Sequence, residues 1–109
     1  MEALSPKEFF EKVLPEKFNP AKAAGVDVIV QVNLVNSVQA NWVVTIKDQK
    51  LFAKEGTTAS PTLTLKMAER DFLDLVNRKI SAEKAFFTGK VQFKGNIALA
   101  LKLREAGFL

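Results

Sequence analysis

The sequence contains no cysteine, no histidine and no tyrosine among its 109 residues. Without cysteine the chain can form no disulfide, no thiolate nucleophile and no zinc–thiolate site. Without histidine it lacks the commonest general base and a principal ligand of transition metals. Catalytic triads and histidine-based metal centres are therefore excluded. The carboxylates at Asp71, Asp74 and Glu83 lack the spacing of an acid/base pair, so we expect no enzyme, no metal and no cofactor.

Long hydrophobic runs and blocks of like charge are also missing. No apolar run approaches the roughly 20 residues needed to cross a bilayer, and the first residues lack the pattern of a secretory signal. We therefore expect a soluble, cytoplasmic protein. The net charge of +4 could favour nucleic acid, anionic membrane surfaces or phosphorylated ligands. Because the lysines and arginines are spread along the chain, residues such as Lys90, Lys94 and Lys102 are interpreted as solvated charges. Without a basic cluster or a recognisable motif, nucleic-acid binding is not expected.

The residues that are present predict one domain, 1–109, with helices and a sheet. Ser5, Pro6 and Glu8 form a capping box that starts a helix, and Pro15 is expected to end it. Alternation of apolar and polar residues predicts five strands, near residues 26–34, 42–46, 51 onward, 62–67 and 91–94. The first three are interpreted as a meander. Each strand is apolar on one face only, which is typical of a sheet covered on one side.

Helical spacing follows the fourth strand at 71–79 and again at 82–87, and a last helix is predicted over 97–106. This last helix is apolar on nearly all sides: Ile97 and Leu101 lie on one side, and Leu99 and Leu103 lie nearly opposite. Such a helix needs more than one covering layer. Other helices of the chain, a second subunit and a bound apolar molecule all remain open as the covering.

The segment FFTGKVQFKGNIALALKL, residues 86–103, resembles the C-terminal signature of the sterol carrier protein type 2 family, the non-specific lipid-transfer proteins. The similarity lies in the paired phenylalanines, the Gly-Lys and Gly-Asn steps and the final Leu-Lys-Leu. Residues 68–75 resemble the family's Asp-Phe-Leu helix, and residues 41–48 resemble its tryptophan-containing strand. The three segments occur in the family's order.

The resemblance implies an α+β fold, with a five-stranded sheet covered on one face by helices and an apolar tunnel between the layers. It implies binding and intracellular transfer of fatty acid, fatty acyl-CoA or phospholipid, with sterols less favoured. It also allows transient contact with a membrane surface. Carried over by position, the ligand-binding wall comprises Trp42, Val44, Ile46, Phe72, Leu75, Val76, Phe86, Phe87, Phe93, Ile97 and Leu101. The alternative is a non-catalytic accessory module that uses the same apolar surface to form a homodimer.

The sequence departs from the family pattern at two places, and each departure leads to a separate expectation. Arg78 occupies the position before Lys79 where the family commonly has glycine, so the helix is expected to continue through this turn. The chain ends at Gly107-Phe108-Leu109, without a peroxisomal Ser-Lys-Leu ending and without the segment that helps to close the tunnel in animal members. The tunnel is therefore expected to be open or completed by a partner subunit.

Overall fold

The computed structural model describes residues 3–38 and 40–105, apart from the side chains of residues 97 and 103–105. Its first helical segment runs without a break through α1 (Pro6–Glu8), a π-helix (Phe9–Val13) and α2 (Leu14–Lys17). The predicted start is confirmed, because the Ser5 hydroxyl accepts a hydrogen bond of 3.1 Å from the Glu8 N–H.

The expected end of this helix at Pro15 is wrong, because the segment continues to Lys17. Proline has no N–H, and its ring conflicts with the carbonyl of residue i−4 in an α-helix. The wider π turn lies immediately before Pro15: the Leu14 N–H donates to the Phe9 carbonyl, five residues back. We attribute the continuation to this turn, which relaxes the α-helical geometry that proline disrupts.

A five-stranded sheet forms the other layer and confirms the predicted α+β class. After a short 3-10 helix (Pro20–Ala23) the strands are β1 (Val28–Val35), β2 (Asn41–Lys47), β3 (Lys50–Glu55), β4 (Leu63–Ala68) and β5 (Val91–Gly95). Their order is β3-β2-β1-β4-β5, with β1 and β4 parallel and the other neighbours antiparallel. The predicted meander of the first three strands is confirmed.

Three further helices complete the fold: α3 (Glu69–Val76), α4 (Ala82–Phe87) and α5 (Ile97–Glu105). The expectation that α3 runs on through Arg78 is wrong. The helix stops at Val76, and Arg78 adopts the left-handed conformation with φ of 61°. The turn therefore keeps the geometry that favours glycine, with arginine in its place. In the described part of the chain, no helix combines the length and apolarity required to cross a membrane.

The two faces of the sheet differ in character. The inner face, towards the helices, carries apolar residues: Val28, Val30, Val32, Leu34, Trp42, Val44, Ile46, Leu51, Ala53, Leu63, Leu65, Met67, Val91 and Phe93. The strand residues between them form the outer face, which is mostly polar. Most of the buried core lies between the inner face and the helices, as a two-layer domain requires.

Candidate functional site

An aromatic stack joins the two layers through Trp42, near the start of β2. The Phe10 ring lies parallel to Trp42 of β2, with centroids 4.8 Å apart and an interplanar angle of 20°. Phe72 of α3 stacks on Phe10 with a centroid distance of 5.4 Å. Phe9 meets both phenylalanines edge-to-face. Offset-stacked and edge-to-face contacts are the favourable aromatic geometries, so this cluster fixes the helical layer on the sheet.

Six of the predicted site residues lie in this buried layer. Trp42, Val44 and Ile46 of β2 are almost fully buried on the inner face, and Phe72, Leu75 and Val76 of α3 are buried among the helices. Period-two spacing places the β2 residues on one face, and helical spacing gathers the α3 residues on one side. The structure therefore brings these six together as a continuous apolar surface.

Four other predicted residues are more exposed than these six. Phe93 of β5 is half-buried, opposite Leu65 in the register of the sheet. Phe86 is 53% exposed and Phe87 is 85% exposed at the end of α4, and their rings meet edge-to-face at 6.1 Å. Leu101 of α5 is 56% exposed. The side chain of Ile97 lies outside the described residues.

The first helical segment contributes side chains that were absent from the predicted site. Phe9, Phe10 and Leu14 are buried at 1% exposure or less. Their signal was present in the sequence, because they belong to the apolar stripe of the first predicted helix. The periodicity could not show which residues that stripe meets, since the contact with Trp42 joins elements more than 30 positions apart and periodicity reports only local geometry.

A large open cleft, with a volume of about 610 Å³, lies elsewhere, at the start of α3. Glu69, Arg70 and Asp71 contribute to its lining, and none of the predicted site residues does. Two lining residues of this cleft, Ala3 and Asn77, are joined by a reciprocal pair of 2.7 Å hydrogen bonds. The Ala3 N–H donates to Asn77 Oδ1, and Asn77 Nδ2 donates to the Ala3 carbonyl. A cleft lined by charged groups is poorly suited to an acyl chain.

Two cationic groups border the apolar layer. The Lys17 ammonium lies 5.8 Å from the centre of the Phe9 ring, within the range of a cation–π contact. Burial lowers the pKa of Lys17, and repulsion from Arg78 lowers it further. Lys90 lies 3.9 Å from the Asp71 carboxylate and so links the start of β5 to α3. This pair is partly exposed and stabilises the fold only weakly.

Comparison with known proteins agrees with this architecture. The model of the SCP-2 sterol transfer family matches residues 7–106. Human sterol carrier protein 2 is 38% identical over 67 residues, which are 62% of this chain and 12% of that protein. The chain therefore corresponds to a small part of that relative's length.

Solved structures share the fold. A palmitated sterol carrier protein 2-like protein from Aedes aegypti superposes with a TM-score of 0.70 and 21% identity, over 95% of each chain. The inverting sec-alkylsulfatase Pisa1 from Pseudomonas sp. superposes with a TM-score of 0.79 and 23% identity, over 98% of this chain and 16% of the sulfatase. With the family model covering almost the whole sequence, the chain belongs to the SCP-2 sterol transfer family.

Proposed function

We propose that this domain binds a lipid chain against the inner face of the sheet and releases it to membranes, without catalysing a reaction. The observation that carries the proposal is the exposure of apolar side chains beside a closed core: Phe86, Phe87 and Leu101 are more than half exposed, and Phe93 packs half-buried against the core. Exposing two adjacent phenylalanines to water is unfavourable. A bound acyl chain would cover them and extend the apolar layer.

The ligand class follows from the chemistry of this wall. Phenylalanine, leucine and valine offer dispersion contacts and no hydrogen-bonding group, so a saturated chain fits better than a molecule with polar groups along its length. Fatty acid, fatty acyl-CoA and phospholipid share such a chain, and sterols are less favoured. The palmitated state of the Aedes aegypti relative supports the same class.

The energetics are adequate for a carrier. Burying about fifteen methylene groups of an acyl chain would contribute about 12 kcal/mol before association costs of at least about 4 kcal/mol, at about 0.8 kcal/mol for each group. Association costs reduce this gain, which places the affinity near the micromolar range. A ligand of this affinity stays bound in aqueous solution and is released when another apolar environment becomes available. We propose the cytoplasm as the compartment.

Phe93 provides the test. We expect Phe93→Asp to weaken uptake of a fluorescent fatty acid by about tenfold or more, because it places a carboxylate in the apolar wall. Phe52→Asp is the matched control: Phe52 lies on a strand of the same sheet, faces outward and is 63% exposed. Equal uptake by the two folded variants would contradict the placement of the ligand at Phe93.

The exposed apolar side chains also favour a second candidate, an accessory module that uses them in a homodimer. The similarity to a part of Pisa1 shows that this fold can form a section of a larger protein. Analytical ultracentrifugation, combined with native mass spectrometry of freshly purified protein, separates the candidates. A tight dimer that yields no lipid favours the module, and a monomer with co-purified lipid favours the carrier.

A further inference from the structure

Five lysines from four strands lie on the outer face of the sheet. The strand register places Lys47, Lys50, Lys54, Lys66 and Lys94 on this face, and all five are exposed. Within the strands, no aspartate or glutamate shares the outer face, because Glu55 lies opposite Trp42 in the register of the inner face. None of the five lysines forms an ion pair within the described ranges.

The arrangement of these lysines is clearest on the edge strand β3. Lys50, Phe52 and Lys54 alternate along its outer face, about 6.7 Å apart at each step, and Phe52 is 63% exposed. Lys47 of β2 lies directly opposite Lys50. Like charges in directly opposed positions destabilise an antiparallel pair, so an external anion at this position would relieve an unfavourable contact.

The surroundings do little to neutralise this charge. The connection from β3 to β4 folds onto the outer face, where the Thr58 N–H donates to Gln31 Oε1 at 2.9 Å. Its residues, GTTASPT at 56–62, carry no charge. Glu55 follows Lys54 directly, but its register places it on the inner face. Asp48, in the turn after Lys47, and Asp27, just before β1, both lie at the hairpin end. Lys54, Lys66 and Lys94 lie further along the strands.

We propose that the outer face of the sheet docks on membranes rich in anionic phospholipid. This inference rests on the proposed carrier function and identifies the surface by which the carrier would meet a membrane. The basic face spans five strands, about 19 Å at about 4.8 Å per strand, so its lysines can reach several headgroups at once. Phe52 can enter the interfacial region between Lys50 and Lys54, as aromatic residues do at membrane surfaces.

A nucleic acid is a less suitable occupant. Binding of single strands relies on successive aromatic platforms for the bases, and the outer face has one exposed phenylalanine. The ligand wall lies on the inner face, so a carrier docked through its outer face keeps Phe86, Phe87 and Phe93 free of the docking contact.

Flotation of the full chain with lipid vesicles tests the proposal. We expect the protein to bind vesicles containing 30% phosphatidylserine about 100-fold or more better than pure phosphatidylcholine at 0.1 M salt, with the difference lost near 1 M salt, where screening is strong. Lys50→Gln/Lys54→Gln should weaken binding about 25-fold, at about fivefold for each lysine, the equivalent of about 1 kcal/mol. The matched control, Lys12→Gln/Lys84→Gln, removes the same charge from exposed positions on helical segments.

Three results would overturn the proposal: equal losses in the two double variants, equal binding to neutral vesicles, or tighter lysine-dependent binding to a single-stranded oligonucleotide than to the anionic vesicles. Uptake of a fluorescent fatty acid in solution is measured in parallel. Normal uptake with unchanged vesicle binding in Lys50→Gln/Lys54→Gln would refute the docking surface alone. Absence of uptake by the unmodified chain would refute the carrier function, whatever the vesicles show.

Discussion

Arg78 holds a backbone conformation that its side chain disfavours. Its φ of 61° lies in the left-handed region, which costs a non-glycine residue roughly 1–2 kcal/mol. The side chain is exposed and also repels Lys17. We expect Arg78→Gly to be more stable than Arg78→Ala by about 1 kcal/mol, measured by urea denaturation, since only glycine removes the strain.

The alanine variant serves as the control for charge. Both substitutions abolish the repulsion between Arg78 and Lys17, so their difference reports the backbone alone. The glycine variant loses part of its gain because glycine is more flexible in the unfolded chain. Equal stabilities of the glycine and alanine variants would show that the turn carries no strain.

At the scale of elements, Gly95 allows β5 to approach β4 closely before α5 begins. Its φ is 133°, and a Cβ at this position would lie 2.6 Å from Leu63 Cδ2 and 2.8 Å from the Thr62 carbonyl oxygen. The carbonyl belongs to the backbone and cannot move without disturbing the start of β4. We therefore expect Gly95→Ala to lower the free energy of unfolding by about 1–3 kcal/mol more than a comparable glycine without this crowding.

Gly56 supplies that comparison, because its φ is 140° and nothing lies within 4 Å of an added Cβ. Gly56→Ala thus bears a similar backbone penalty without the clash. The two variants are compared by thermal and urea unfolding. Equal destabilisation would mean that the approach of β5 to Leu63 and Thr62 leaves room for a methyl group.

The strand positions could be predicted closely from the sequence. A sheet that is buried on one face requires apolar and polar residues to alternate along each strand, as at Trp42, Val44 and Ile46. The π-helix could not be predicted from the sequence, because it depends on how the helical segment accommodates Pro15, two residues after the π-helix ends at Val13. The resemblance to the family supplied the candidate wall residues, but the exposure of Phe87 depends on the packing of α4 against the rest of the chain. Local spacing contains no information about that packing.

At the scale of the whole molecule, the distribution of charge likewise depends on tertiary structure that local spacing does not predict. Along the chain the lysines are spread without a basic block, so they were interpreted as separate solvated charges. The sheet gathers Lys54, Lys66 and Lys94 on one face because the chain crosses from β3 to the far side of β1, where β4 and then β5 join the sheet in a register that points all three lysines outward. Strand order and register, which periodicity does not specify, therefore determine the basic surface.

Cohesion of the whole fold depends on the Trp42–Phe10–Phe72 stack, which joins the sheet, the first helical segment and α3. Phe10 is 1% exposed, and its removal would leave a cavity between the layers. We expect Phe10→Ala to cost about 3–5 kcal/mol of unfolding free energy, whereas Phe52→Ala, at an exposed position, should stay within about 0.5 kcal/mol of the original. Urea unfolding followed by Trp42 fluorescence measures both. A small effect of Phe10→Ala would show that the helical layer and the sheet are coupled elsewhere, and the interlayer space would then be available to a ligand at little cost in stability.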